Sequence, residues 1–470
     1  MSKSKELAKN TVIIFIGTVC TKLITFFLLP LYTAMLTTAE YGTVDLLNTI
    51  ISLLSPIISL QISQGLFRHL IDSRDNEKEK KELISSSILL IIINCFIYLL
   101  LFLLISPFVN NKYKYFLAIN LIFSVLCDLF LQISRGFGEN KQYSIAGVIT
   151  AITTIICNVL FLVSLKMKVN GMLLGTLIGY ASSIIWLFFK LKLYKYISIY
   201  SFSKKSLKKL LKYSLPLVPN QLSWWVFNTS DRIIVSIIMG LSFTGLLSVS
   251  YKFSSAYIII YNIFNLSWTE SMALHINDED VEEYFNKTFN IIFNLFFSIG
   301  IVLIAFMPII FKIMVNDSYS YAKGLIPIAI LSVICQVVVG LVSVVYVSKN
   351  DTKAIANTSI LAAIVNIVVH LALIKYIGLY AAVVSTFVSY FVFAIYRTID
   401  VSKKYLQVKF DIKKLLISTV YLIIVLLVYY CNYNYLKIII MISSIVYLFF
   451  INKNSINFII NILKEKVKKV

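Results

Sequence analysis

Fourteen stretches of roughly 20 predominantly apolar residues, parted by short polar connections, leave this chain few ways to fold. A bilayer core of ~30 Å takes about 20 helical residues, and backbone polar groups in hydrocarbon must bond within their own segment. Each stretch therefore predicts a membrane helix, from 11–36 and 43–66 at the amino end, through 215–239 and 244–266, to 415–430 and 435–451 at the carboxyl end. The chain is 59% hydrophobic and only 14% charged over 470 residues, more apolar than a water-soluble core of that size requires. The expected fold is an all-α polytopic membrane protein.

The formal charge is +21, from 43 Lys and Arg against 22 Asp and Glu. In a soluble protein that excess would suggest nucleic acid, but here its placement decides, and no nucleic-acid partner is expected. The basic residues gather in alternate connections and at both ends, which predicts cytoplasmic placement of both termini. The basic start runs into 11–36 without an A-x-A site, so that segment is expected to be a retained first span. The longest interruption, 190–214, sets Leu207, Leu210 and Leu211 on one helical face and Lys204, Lys205, Lys208, Lys209 and Lys212 on the other. It reads either as a surface helix on anionic lipid or as a linker between halves.

A faint repeat supports the linker. Leu7 to Thr11 precede the first span as Leu210 to Ser214 precede the seventh, 203 positions later, and Gly42 and Gly245 open the next spans at the same offset. Six spans per half give both repeats one orientation, which predicts two parallel six-helix bundles around a central cleft. The expected organisation is a first bundle at 1–190, an amphipathic linker at 191–214, a second bundle at 215–400, and two additional helices with a basic tail at 401–470.

Ionisable groups inside such spans are costly unless they line a polar cavity. Lys22, Asp45, Arg68, Asp128, Asp231, Arg232 and Lys252 all lie in or at the ends of apolar stretches. The seventh span is the most polar, with Trp224, Trp225, Asn228 and the Asp231-Arg232 pair. Neighbours on a helix point about 100° apart, so that pair must look toward another helix or a cavity. Lys22 and Lys252 suit a phosphate or carboxylate, or else pair with Asp45 or Asp231. Asp128 suits a coupling cation or balances Lys22, and Asp45 is the other ion-coupling candidate. Gln61, Gln64, Trp224, Trp225 and Asn228 could add amide and aromatic walls to such a cavity, while Arg68 could simply anchor to lipid. Pro30 and Pro56 are candidate hinges.

Enzymatic readings lack residues. There are three histidines, no nucleotide-phosphate loop and no metal-ligand spacing, so no cofactor is expected. The six cysteines sit in or at the rim of apolar runs without a CxxC pair and read as small core residues. Asp278-Glu279-Asp280 matches a glycosyltransferase D-x-D pattern weakly, in a loop too short for a nucleotide-sugar domain.

Residues 214–253, with Pro216, Pro219, Trp225, Asp231-Arg232, Gly240 and Gly245, resemble the seventh and eighth helices of Wzx-type polysaccharide flippases of the multidrug/oligosaccharidyl-lipid/polysaccharide exporter superfamily. The opening, with Gly17, Lys22, Pro30 and Glu40-Tyr41-Gly42, and a later stretch with Asn366, Gly378 and Ala381-Ala382, resemble the same family. Together they span most of the first twelve helices. Leu246-Leu247 depart from it, where related sequences often carry tyrosine and glycine. The resemblance implies a flippase for undecaprenyl-diphosphate-linked oligosaccharide, with membrane lipids, a polysaccharide polymerase and a chain-length regulator as candidate partners. A drug/cation antiporter of the same superfamily and a membrane-embedded glycan polymerase or acyltransferase are the alternatives.

Overall fold

The computed structural model describes residues 26–349, 351–431 and 433–453, and every regular element among them is helical. Twelve of these helices are long and apolar enough to cross a bilayer. The first span is described only from residue 26, so Lys22 lies outside the described residues, as does the basic tail from 454 onward. Twelve of the fourteen predicted spans each appear as one continuous helical stretch among the described residues. By its contacts the chain divides into two compact units, Met1–Gly245 and Leu246–Val470.

The first unit holds α1 (Leu29–Met35), α2 (Thr38–Ser59), α3 (Ile62–Asp72), α4 (Glu77–Ile105), α5 (Lys114–Gly136), α6 (Asn140–Val159), α7 (Lys168–Lys190), α8 (Lys204–Ser214) and α9 (Leu217–Ile238). Helix α10 (Leu241–His275) starts in it and continues into the second unit, which adds α11 (Val281–Met314), α12 (Ala322–Ser348), α13 (Thr352–Ile377), α14 (Tyr380–Lys404), α15 (Ile412–Tyr430) and α16 (Asn434–Ile451). Within the first unit α7 packs along α5 and α6; within the second, α14 packs along α12 and α13, the corresponding helices of the repeat. Small residues permit this. Gly175 faces Asn158 on α6 so closely that a Cβ would lie 2.1 Å from its Oδ1, and Ala381, Ala382, Ser385 and Ser389 are buried on α14.

The Glu40-Tyr41-Gly42 motif divides its work. Thr37 and Glu40 form a reciprocal capping box that starts α2, with Thr37 N donating to Glu40 Oε2 at 2.9 Å and Glu40 N to Thr37 Oγ1 at 3.2 Å. Tyr41 is buried with its ring 6.4 Å from that of Tyr32. Gly42 lets the first turn of α10 approach: a Cβ there would lie 1.9 Å from Leu241 O, and one on Gly245 would lie 2.0 Å from Thr38 O. Leu241 and Gly245 stand 203 positions after Thr38 and Gly42, so the contact is reciprocal under the repeat.

The second predicted span is not one helix. Leu60 (φ 48°, ψ 26°) and Gln61 (φ 53°, ψ 24°) are both left-handed and part α2 from α3. Non-glycine residues adopt that region only when their surroundings hold them there. Asn94 on α4 donates Nδ2 to Ile58 O at 2.8 Å, and Ser59 Oγ accepts from Gln61 N at 3.2 Å, which satisfies backbone groups that the break frees. Pro56, inside α2 four residues before the break, removes a further donor. Pro30, the other candidate hinge, occupies the first turn of α1, where its missing N–H costs little.

The amphipathic helix α8 rests on protein. Leu210 is fully buried, Lys209 Nζ lies 3.0 Å from Glu79 Oε1, and Ser206 Oγ donates to Glu82 Oε2 at 3.2 Å. Its apolar face thus covers α3 and α4, and only its lysine face remains for solvent or lipid headgroups. In the second unit, Glu282, Asn286 and Asn290 recur every four residues along α11 and strap down the unwound segment before α15. Asn286 donates to Gln407 O (2.8 Å) and accepts from Lys409 N (2.6 Å); Asn290 donates to Lys409 O (2.8 Å) and accepts from Asp411 N (2.8 Å).

Candidate functional site

The polar residues of the seventh span sort onto two faces of α9. One face is tied to α2: Arg232 Nε lies 2.7 Å from Asp45 Oδ2, and Trp225 Nε1 donates to Ser52 Oγ at 2.9 Å and to Thr49 O at 3.2 Å. Asp45, Thr49 and Ser52 share one stripe of α2, Trp225 and Arg232 one stripe of α9, and the pairing runs antiparallel. The ion-pair side chains are only 18% and 20% exposed. Of the two readings open for Arg232, partner helix or cavity, its guanidinium takes a partner. Asp231, 3% exposed, points into the packing.

The other face is open. Gln221, Trp224 and Asn228 follow one another at helical spacing and are all exposed, with Asn228 Nδ2 donating to Trp224 O at 2.8 Å. On α2, Asn48 and Ser52 are exposed as well. Amides and an indole N–H that face hydrocarbon carry a large cost. Aromatic faces beside amides are also what sugar rings and hydroxyls bind.

Beside the break in the second span, Ser63 Oγ donates to Asp128 Oδ2 at 2.5 Å, Gln132 Nε2 lies 3.4 Å from Asp128 Oδ1, and Arg135 Nη1 donates to Gln132 Oε1 at 3.1 Å. A polar chain therefore leads from the broken helix along α5 to Arg135, whose guanidinium stacks 4.4 Å from the Phe67 ring. Gln61 is in the break itself and Gln64 one turn on, both part-buried. Arg68 is exposed and pairs with Asp72 at 2.7 Å, which holds the Asp72 carboxyl below its usual range.

In the second unit Lys252 is part-buried on α10, one residue from Tyr251, whose hydroxyl lies 3.2 Å from Thr386 Oγ1 on α14. Sequence reasoning missed Arg397, 3% exposed on α14. Its Nε donates to Thr358 Oγ1 at 3.0 Å, Nη2 to Ile355 O and Ser359 Oγ at 3.3 Å each, and Nη1 to Ser343 Oγ; its guanidinium lies 4.1 Å from the Phe393 ring. Seven residues from the helix end, it reads in sequence as a headgroup anchor, and only the hydroxyls of α12 and α13 reveal its burial. Arg397→Met is expected to destabilise the protein by ~1–3 kcal/mol, the cost of stranding buried partners. Thermal melting of the purified protein checks this, and an unchanged midpoint would show that the network is dispensable.

Four helices of the same unit enclose an apolar groove of about 450 Å³, lined by Phe293 and Phe297 (α11), Cys335 and Val338 (α12), Phe391 (α14) and Leu422 (α15). Its wall offers almost no polar surface, so it suits a hydrocarbon chain.

The sequence profile of the polysaccharide biosynthesis protein family matches residues 7–269. No curated protein matches the chain. Among solved structures, the lipid II flippase MurJ in an inward closed conformation superposes with a TM-score of 0.73 at 16% identity, covering 96% of this chain and 100% of that one. A multidrug resistance MATE family transporter of the MOP superfamily, inward-facing, gives 0.68 at 13% identity over 82% of this chain and 98% of that one. At such identities these likenesses establish a shared fold.

Proposed function

We propose that this chain, which belongs to the polysaccharide biosynthesis protein family, is a Wzx-type flippase that turns an undecaprenyl-diphosphate-linked oligosaccharide from the cytoplasmic to the outer leaflet of the bacterial inner membrane, for O-antigen, capsule or exopolysaccharide. The observation that carries this reading is the exposed Gln221–Trp224–Asn228 stripe on α9, the predicted seventh span. The sugar head passes along this amide and aromatic wall while the polyprenyl tail stays apolar, and the groove between α11, α12, α14 and α15 suits that tail. Arg232 enters the site with its charge offset by Asp45, and Lys22 and Lys252 are the residues proposed to meet the diphosphate. Turnover proceeds by alternating access. A charge moved across the membrane is worth ~2.3 kcal/mol per 100 mV, so an ion gradient can drive it, with Asp128 as the proposed coupling carboxylate.

Lys22→Ala or Lys252→Ala should abolish surface glycan while leaving membrane abundance intact, and Arg68→Ala, exposed and paired locally, should matter less. Surface-glycan staining beside immunoblots of membranes checks this; full export by both lysine variants would remove the cationic site. The shared MATE fold keeps a drug/cation antiporter as the second reading. A deletion strain separates them: loss of a flippase traps undecaprenyl-linked glycan inside, loss of a polymerase leaves single repeat units exported, and loss of an antiporter changes drug sensitivity alone.

A further inference from the structure

At the lysine-rich end of the first unit, away from the α2–α9 seam, three connections close around a pocket of about 360 Å³, within the ~300–1,000 Å³ range of small-ligand sites. Arg74 comes from the α3–α4 turn, Lys80 from α4, Phe137, Glu139 and Gln142 from the α5–α6 turn and the start of α6, and Lys190, Lys192 and Tyr196 from the end of α7 and beyond. Four cations thus share the lining with Glu139, and Glu77 pairs with Lys80 beside it.

These side chains are held in place. Arg74 donates Nε to Gly136 O at 2.9 Å and Nη2 to Arg135 O at 3.4 Å, both neutral acceptors that leave its charge uncancelled. Lys80, 9% exposed, has its ammonium 5.7 Å from the Phe137 ring and 5.9 Å from that of Tyr196, with Glu77 bonded to it from the side. Lys192 has φ +53°, a left-handed conformation that a lysine adopts only under constraint. Lys190 lies 5.7 Å from the Trp186 ring, a pairing found where helices meet headgroups.

One group lacks a partner: Gln142 Oε1 is buried in the pocket wall with no hydrogen bond among the described residues. Amide oxygen and nitrogen exchange by rotation, so Gln142 can accept from a hydroxyl or donate to a phosphate oxygen. A ring of cations, an unsatisfied amide and a position at the ends of α3, α5 and α7 match one ligand chemistry, a phosphate ester.

We propose that this pocket binds the phosphodiester headgroup of an anionic bilayer lipid and so fastens the α3–α4, α5–α6 and α7–α8 connections together. Such a site goes beyond the transport reading, because it needs no transported substrate and is read out by lipid binding. The test uses the full-length protein in phosphatidylcholine nanodiscs, titrated with phosphatidylglycerol or with inorganic phosphate, and followed by thermal melting and native mass spectrometry. Phosphatidylglycerol should raise the melting midpoint and remain bound. Lys190→Glu/Lys192→Glu, both exposed, should weaken that response ~10-fold or more, whereas Lys205→Glu/Lys208→Glu on α8 should retain it.

Equal responses from wild type and the Lys190/Lys192 variant would overturn the proposal. So would equal loss in the α8 control, which would mark general surface attraction, or the same shift from inorganic phosphate alone, which would make the ligand a soluble anion.

Discussion

Replacing Gly42 by alanine is expected to cost the folded protein ~1–3 kcal/mol, the range of forced overpacking. A Cβ at that position would lie 1.9 Å from Leu241 O and 2.7 Å from Gly245 N, both backbone atoms that no rotamer change can move aside. The first turns of α2 and α10 would have to separate. Because the contact is reciprocal, Gly245→Ala, whose Cβ would meet Thr38 O at 2.0 Å, should cost about as much. The double variant should cost less than the sum of the two, since one separation relieves both clashes. Melting midpoints of the purified variants measure this directly. Wild-type stability in either single variant would mean that the two turns do not meet as described.

The second large effect is expected at the Asp45–Arg232 pair. Removing either partner leaves the other charge largely buried among helices, and breaking buried pairs costs ~3–5 kcal/mol. With 18% and 20% exposure some water reaches the pair, so a loss of about 2 kcal/mol is expected for Asp45→Asn or Arg232→Gln. The neutral double variant should recover most of that stability, because amides of similar shape can bond in place of the ions. Melting and membrane abundance measure the structural part, and surface glycan measures transport. A stable double variant that fails to export would assign the charges to the transport cycle. If the double variant were no more stable than the singles, the pair would not be the structural link between α2 and α9.

The spans were legible because hydropathy is local: a bilayer demands ~20 apolar residues in a row, and twelve of the fourteen stretches are each one continuous helical stretch among the described residues. The repeat was legible through punctuation, and Gly42 and Gly245 prove to be a reciprocal contact rather than matched breakers. Asp231 and Arg232 were legible as residues needing partners beyond their own helix. The choice of Asp45 was not, because antiparallel packing of α2 and α9 decides it.

Other features carried no sequence signal. The break at Leu60 and Gln61 has no glycine, and its left-handed residues depend on Asn94 from another helix. Arg397 stands near a span end, where a lone arginine ordinarily reaches to headgroups, yet hydroxyls from two neighbouring helices enclose it. The lysine-bearing α8 carries the pattern of a membrane-surface helix, but α3 and α4 offer Leu210 a protein surface instead.

By itself, then, the order of residues determined that this protein is a bundle of membrane helices with charges inside. Those properties follow from solvation and chain periodicity, which act over one or two turns. Which charges cancel, where a helix breaks and which polar face stays open were decided only when helices distant in sequence packed together. Inside a membrane the energy of a polar group depends on the neighbour that reaches it, and tertiary structure alone supplies that neighbour.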